Sequence, residues 1–154
     1  MPSPLHELQS EAAARWLRKN GFPVVAVNVF ALGSRERVDA IGWRHSASVL
    51  IESKVSRSDF HCDRNKPERH SGGVGLYRFY ITPPNLVSVS ELPAGWGLLY
   101  FDGKKVTEIK RPKGNAWPSF GVGDSEWMQH QHLVDKDAEQ ALLFSVARKL
   151  AVRK

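Results

Sequence analysis

The alternation of apolar and polar positions divides the chain into elements before any chemistry is considered. Leu5, Leu8, Ala12, Ala13, Trp16 and Leu17 recur at three- and four-residue steps, the spacing that gathers one apolar stripe on a helix. A first helix is therefore predicted over Leu5–Asn20, opened by Ser3-Pro4 and stopped by Gly21. The β-branched residues Val24, Val25, Val27 and Val29 predict a strand over Phe22–Phe30, followed by a turn over Ala31–Glu36. Arg37–Trp43 and Ser48–Val55 read as two further strands. Their short polar link, Arg44–Ala47, implies an antiparallel pair, because a parallel crossover needs about a dozen residues.

Arg57–His70 is strongly polar and predicts a helix or ordered loop, and Ser71–Gly75 a flexible hinge. Leu76–Thr82 is a strand stopped by Pro83-Pro84, and Val87–Leu92 a turn of helix. Gly97–Phe101 and Lys105–Ile109 form a hairpin around the tight turn Asp102-Gly103. Arg111–Asp124 changes to Pro, Gly, Lys and aromatic residues and predicts a long surface loop. Asp135–Arg153 closes the chain as a helix with Ala138, Leu142, Val146 and Leu150 on one stripe. The sequence shows no internal repeat. This order describes one α/β domain, a mixed central β-sheet flanked by helices, with a C-terminal loop and helix extension.

Composition narrows the class. The chain has 154 residues and is 42% hydrophobic and 25% charged, as an ordinary globular domain is. No apolar run approaches the roughly 18 residues of a membrane span, and Met1–Ser10 lacks the layout of a secretory signal. Cys62 is the one cysteine, which excludes an intrachain disulfide and a multi-Cys zinc module and leads to the expectation of a cytoplasmic protein. The net charge of +6 suggests a polyanionic partner.

Two acids interrupt otherwise apolar strands: Asp39 in Val38-Asp39-Ala40-Ile41-Gly42, and Glu52 in Leu50-Ile51-Glu52-Ser53-Lys54. Period-2 alternation puts Glu52 and Lys54 on one face of their strand. If the strands pair, Asp39 reaches the same place from its neighbour. Carboxylates meeting inside a sheet are costly unless paired, so the cluster invites a functional reason.

With Glu7 or Glu11 in the first helix, Leu17–Phe22 closing it, and these two strand motifs 13 residues apart, the arrangement resembles the PD-(D/E)xK nuclease superfamily. Within it, the chain looks most like small archaeal Holliday-junction resolvases and MmcB-like DNA-repair proteins. The later stretch Leu76–Ile81, Pro83-Pro84 and Leu92–Leu98 is similar to the MmcB-like branch. Val38 stands where the superfamily's name has proline. The resemblance covers roughly residues 5–110; it implies a restriction-endonuclease-like core over 1–110, with 111–154 as a basic loop and C-terminal helix packing on the same domain.

What the resemblance implies is a Mg²⁺- or Mn²⁺-dependent deoxyribonuclease serving DNA repair, recombination or phage and mobile-element DNA processing. Asp39, Glu52 and the Ser53 carbonyl would hold the metal, because Mg²⁺ takes hard oxygen ligands and keeps several waters. Lys54 would orient the attacking water and offset charge on the phosphate. Glu11, preferred over Glu7, would support the site from the first helix. DNA is the implied partner, and such relatives act as dimers, which makes a homodimer an expectation.

Basic residues after the motif, Arg57, Arg64, Lys66 and Arg69, and then Arg78, Lys110, Arg111 and Lys113, are the candidates for contacts to a nucleic-acid backbone. Trp117 reads as exposed in the basic loop. Glu126, His130 and His132 lack a matched metal-ligand spacing, and Cys62 between His61 and Asp63 reads as a plain thiol. Ser71–Gly75 lacks the ending of a phosphate-cradling P-loop. The alternative to a nuclease is a non-catalytic nucleic-acid-binding or protein-interaction module on the same fold.

Overall fold

The computed structural model describes residues 3–30, 37–66 and 72–152. The first helix, α1 (Pro4–Lys19), starts where the Ser3 side chain accepts the His6 N–H and ends at Asn20, whose N–H folds back on the last carbonyls. Three strands follow, β1 (Val24–Val29), β2 (Val38–Arg44) and β3 (Ala47–Ser53), and then α2 (Arg57–Arg64), capped by the Ser56 hydroxyl. β4 (Tyr77–Thr82), a 3-10 turn at Val89–Glu91, β5 (Trp96–Phe101) and β6 (Val106–Lys110) complete the sheet. Two helices end the chain, α3 (Ser125–Gln129) and α4 (Lys136–Val152). The predicted turn over 31–36 lies outside the described residues.

All six strands lie in one sheet in chain order, β1 to β6. β1–β2–β3 is an antiparallel meander, β3, β4 and β5 run parallel, and β6 returns antiparallel. The parallel crossover from β3 to β4 carries α2, as the length rule for such connections demands. The chain is thus a mixed α/β fold with helices on both faces. β3 is buried along its whole length, as a strand covered on both sides must be.

Alternation sorts the core. Val49, Ile51, Phe79 and Ile81 face α1, packing with Ala13, Trp16 and Leu17. Ile41, Trp43, Leu50, Tyr80 and Trp96 face the other way, towards Phe60 of α2 and Ala138, Leu142 and Val146 of α4. The segment after β6 is not the plain surface loop predicted. Trp117 is fully buried, with its ring edge-on to Trp16, Phe22, Tyr77 and Trp127. Each such aromatic contact contributes about 0.5–1.5 kcal/mol beyond area burial, so residues 111–129 supply part of the α1-side core. The sequence reading missed this because Pro, Gly and Lys around Trp117 speak for a surface, whereas a single large ring is enough to anchor it.

The predicted hinge at 71–75 is also corrected for its described part. Gly75 is buried and its N–H donates to Glu139 of α4, while Gly73 accepts from the Asp135 N–H. Gly75 serves close approach, since a Cβ there would run into Leu50, whereas Gly72 has open space around it. Ser71 lies outside the described residues.

Candidate functional site

The register of β2 and β3 builds the site. Ala40 pairs with Ile51, which sets Asp39 directly across from Glu52. The two acids are cross-linked through the backbone: the Asp39 N–H donates to Glu52 Oε2 at 3.2 Å, and the Ser53 N–H to Asp39 Oδ2 at 2.8 Å. Both are buried, Glu52 at 3% and Asp39 at 9% exposure. Adjacent carboxylates with so little water must be balanced by positive charge.

Lys54 supplies it from the end of β3, on the same face as Glu52. Burial alone would lower its pKa, but the charges of Glu52, Asp63 and Asp39 outweigh that and hold the ammonium above its ordinary value. Its Nζ lies 3.2 Å from Asp63 Oδ1, and Tyr80 donates its hydroxyl to Asp63 Oδ2 at 2.6 Å. Asp63, buried at 1% exposure on α2, therefore fixes where the Lys54 head sits. Sequence reasoning did not single out this residue. The signal was there, since Asp63 stands three residues after Phe60 and so shares the buried stripe of α2.

Helix α1 closes the other side. His6 Nε2 lies 3.2 Å from Asp39 Oδ1, and that hydrogen bond, opposed by partial burial, raises the His6 pKa. Gln9, fully buried, donates from Nε2 to the Ser53 hydroxyl and to the carbonyls of Lys54 and Ile81. It thereby ties the ends of β3 and β4 to the helix. His6 and Gln9 were both absent from the sequence-derived candidates, because neither residue type stands out on a helix until the strand beneath it is known.

Of the two acids of α1, Glu11, preferred from the sequence, is exposed on the helix. Glu7 is the acid beside the cluster: its Oε2 accepts from Asn28 Nδ2 at 3.1 Å, and its charge contributes to raising the His6 pKa. Asn28, in β1 opposite Asp39, has a left-handed backbone with φ of 51°. For a non-glycine residue that conformation is uncommon and tends to mark functional or strained sites. Ser53 is buried with its N–H on Asp39.

Several predicted phosphate contacts are engaged elsewhere. Arg78 is buried at 1% exposure and donates to the carbonyls of Gly75, Gly72 and Leu133; it ties loops together and faces no solvent groove. Arg111 is half-buried, bridging Pro112, Gly114, Asn20 and Glu108 beneath the Trp16 and Trp117 rings. Arg57 pairs with Glu91 at 2.6 Å, Arg64 donates to the Glu91 carbonyl, and Lys66 lies 3.5 Å from Asp63. Lys110 and Lys113 are exposed, and Arg69 lies outside the described residues. His132 contacts the Gly95 carbonyl, Glu126 accepts the Lys113 N–H, and Cys62 is an exposed thiol. Among the described residues no three His, Cys, Asp or Glu side chains are grouped to hold a metal ion, and no helix is long and apolar enough to cross a membrane.

What the cluster offers chemically is a pair of carboxylates held at fixed separation by backbone N–H groups, an ammonium on the same face, and an imidazole on the outer carboxylate oxygen. Comparison with known proteins adds the fold. No protein-family model and no curated protein matches the chain. Among solved structures it is similar to SPO1766, a protein of unknown function from Silicibacter pomeroyi, at 23% identity and a TM-score of 0.64, covering 100% of this chain and 94% of that one.

Proposed function

We propose that this protein is a metal-dependent nuclease that hydrolyses phosphodiester bonds of DNA, on a restriction-endonuclease-like core of the PD-(D/E)xK kind. The observation that carries the reading is the meeting of Asp39 and Glu52 across two antiparallel strands, with Lys54 two residues on from Glu52. The order helix, three-strand meander, helix and parallel strand, with the acids on the second and third strands, supports it further. The role fits DNA repair, recombination or the processing of phage and mobile-element DNA.

The donor set suits Mg²⁺ or Mn²⁺. Asp39 and Glu52 each keep lone pairs beyond those taken by backbone N–H groups, and the Ser53 carbonyl adds a third hard oxygen. A bound divalent ion would polarise the phosphate and lower the pKa of the attacking water. The chain's own residues do the rest. Lys54, kept protonated by its acidic neighbours, would donate to the phosphate as negative charge develops on it. Asp63 and Tyr80 would position Lys54, while His6 and Gln9 would hold the Asp39 carboxylate and the end of β3.

The test is cleavage of single-stranded, duplex and branched DNA in Mg²⁺ or Mn²⁺, stopped by EDTA. Glu52→Gln and Lys54→Ala should each lower the rate by about 10²-fold or more while leaving DNA binding in place. A purified, folded protein that cuts none of these substrates would overturn the proposal. So would an Asp39→Ala, Glu52→Ala, Lys54→Ala variant that behaves as the parent does; steep, salt-sensitive DNA binding without cleavage would then identify a non-catalytic module on this fold.

A further inference from the structure

A groove runs between α1 and the β5–β6 hairpin, away from the acidic cluster. It comprises adjoining hollows of about 680 Å³ and 260 Å³ that share Trp16, Lys19, Lys105 and Val106. Arg15 and Lys19 stand one helical turn apart on the α1 side, and Lys104 and Lys105 face them from the hairpin turn. All four are exposed, and the nearest acid on the hairpin, Asp102, feels the charge of Lys105, which helps to lower its carboxyl pKa after the two backbone N–H groups it accepts. The turn is rigid, because Asp102 Oδ1 accepts the N–H groups of both Lys104 and Lys105, at 2.8 and 2.9 Å.

The acid within the groove does not neutralise these cations. Glu108 Oε2 accepts the Trp16 indole N–H at 2.9 Å and lies 3.2 Å from Arg111 Nη1, so its charge is already balanced. Four cations facing one concavity repel one another and contribute nothing to holding the fold. A concave wall of one sign focuses potential and draws in a polyanion. The floor gives bases nothing to stack on, since the Trp16 ring is buried against Phe79 and Trp117. Contacts would therefore go to phosphates rather than bases.

We propose that this groove is a sequence-independent track for the phosphate backbone of duplex DNA, with Arg15, Lys19, Lys104 and Lys105 as its contacts. The identity of the polyanion rests on the nuclease reading; the charge argument does not. Nine residues separate His6, at the acidic cluster, from Arg15 on the same helix. At roughly 1.5 Å of rise and 100° of rotation per residue, Arg15 lies about 14 Å further along α1 and on the opposite side of the helix from His6, so the groove is a separate surface from the acidic cluster. None of these four residues was among the cations singled out from the sequence.

The test is fluorescence anisotropy of a labelled duplex of arbitrary sequence, titrated in EDTA across a KCl series. Substituting Arg15, Lys19, Lys104 and Lys105 together by Gln keeps good helix formers on α1, and unchanged thermal unfolding confirms the fold. The plot of log K against log[salt] should become shallower by about 3–4, at roughly 0.9 per lost contact. A control carrying Lys136→Gln, Arg148→Gln and Lys149→Gln on α4 should shift that slope by less than about 1. An unchanged slope in the groove variant overturns the proposal, as does a parent protein that binds poly-glutamate but no duplex. Cleavage and binding separate the two readings: a parent that cuts DNA with an unaffected slope sinks the groove alone. A parent that binds through the groove and never cuts sinks the nuclease alone.

Discussion

Asp63→Asn tests whether the Lys54 ammonium is held in place by the buried acid of α2. The substitution keeps the shape and removes the charge. The pair is 3.2 Å apart, with Lys54 about one-seventh exposed and Asp63 nearly enclosed at 15% and 1% side-chain exposure. At an effective dielectric of about 20, the Coulomb attraction is about 5 kcal/mol before desolvation. Removing one partner of a buried pair costs roughly 3–5 kcal/mol when the other is left alone. Lys54 is not left alone, since Glu52 and Asp39 still act on it, so about 2 kcal/mol is the expected loss. Tyr80 can still donate to the Asn carbonyl in place of the Asp63 carboxylate, which limits the damage to the ionic part. For a chain of this length about 2 kcal/mol corresponds to a fall of about 4–8 °C in Tm. Urea denaturation of the parent, Asp63→Asn, Lys54→Met and the double variant closes a cycle in which the coupling should exceed about 1 kcal/mol. An Asp63→Asn loss under about 0.5 kcal/mol, or a coupling near zero, would refute the view that Asp63 fixes Lys54.

Other consequences follow from the packing and the titratable groups. At Gly97 in β5, an added methyl would fall into the Phe79 ring and 2.7 Å from the Lys110 carbonyl; Gly97→Ala should cost about 1–3 kcal/mol by overpacking, read as a lower urea midpoint with an unchanged slope. Burial, reinforced by the charge of Arg78, pushes the His132 pKa down to about 4. In the unfolded chain that imidazole takes up its proton near pH 6.5, before the folded protein does, so stability should fall as pH drops from about 6.5 to 4, by at most about 3 kcal/mol. His132→Gln, which keeps a donor for the Gly95 carbonyl, should flatten that part of the stability profile; an equally steep profile would assign the acid sensitivity elsewhere.

The sequence by itself determined the elements and the pair of acids. Helix α1, the three-strand meander and the β5–β6 hairpin were legible because each is set by local periodicity and by turn residues such as Gly21 and Asp102-Gly103. Asp39 and Glu52 stood out for the same reason, as charges within apolar strands. Their direct opposition is a matter of register, which the two-residue turn at His45-Ser46 fixes once β2 and β3 pair. What surrounds them was decided only by the tertiary structure. Which α1 acid finds a partner depends on what the strands bring beneath each turn of the helix: Glu7, still 44% exposed, accepts from Asn28 of β1, while Glu11, one turn on, is exposed. Asp63, His6 and Gln9 belong to the cluster through contacts spanning 9 to 72 residues of sequence, of which Gln9 to Ile81 is the longest. The basic residues divide in the same way. Charge can be counted along a chain, but whether a cation ties loops together, as Arg78 does, or lines an open groove, as Lys105 does, depends on which carbonyls and walls the fold brings to it.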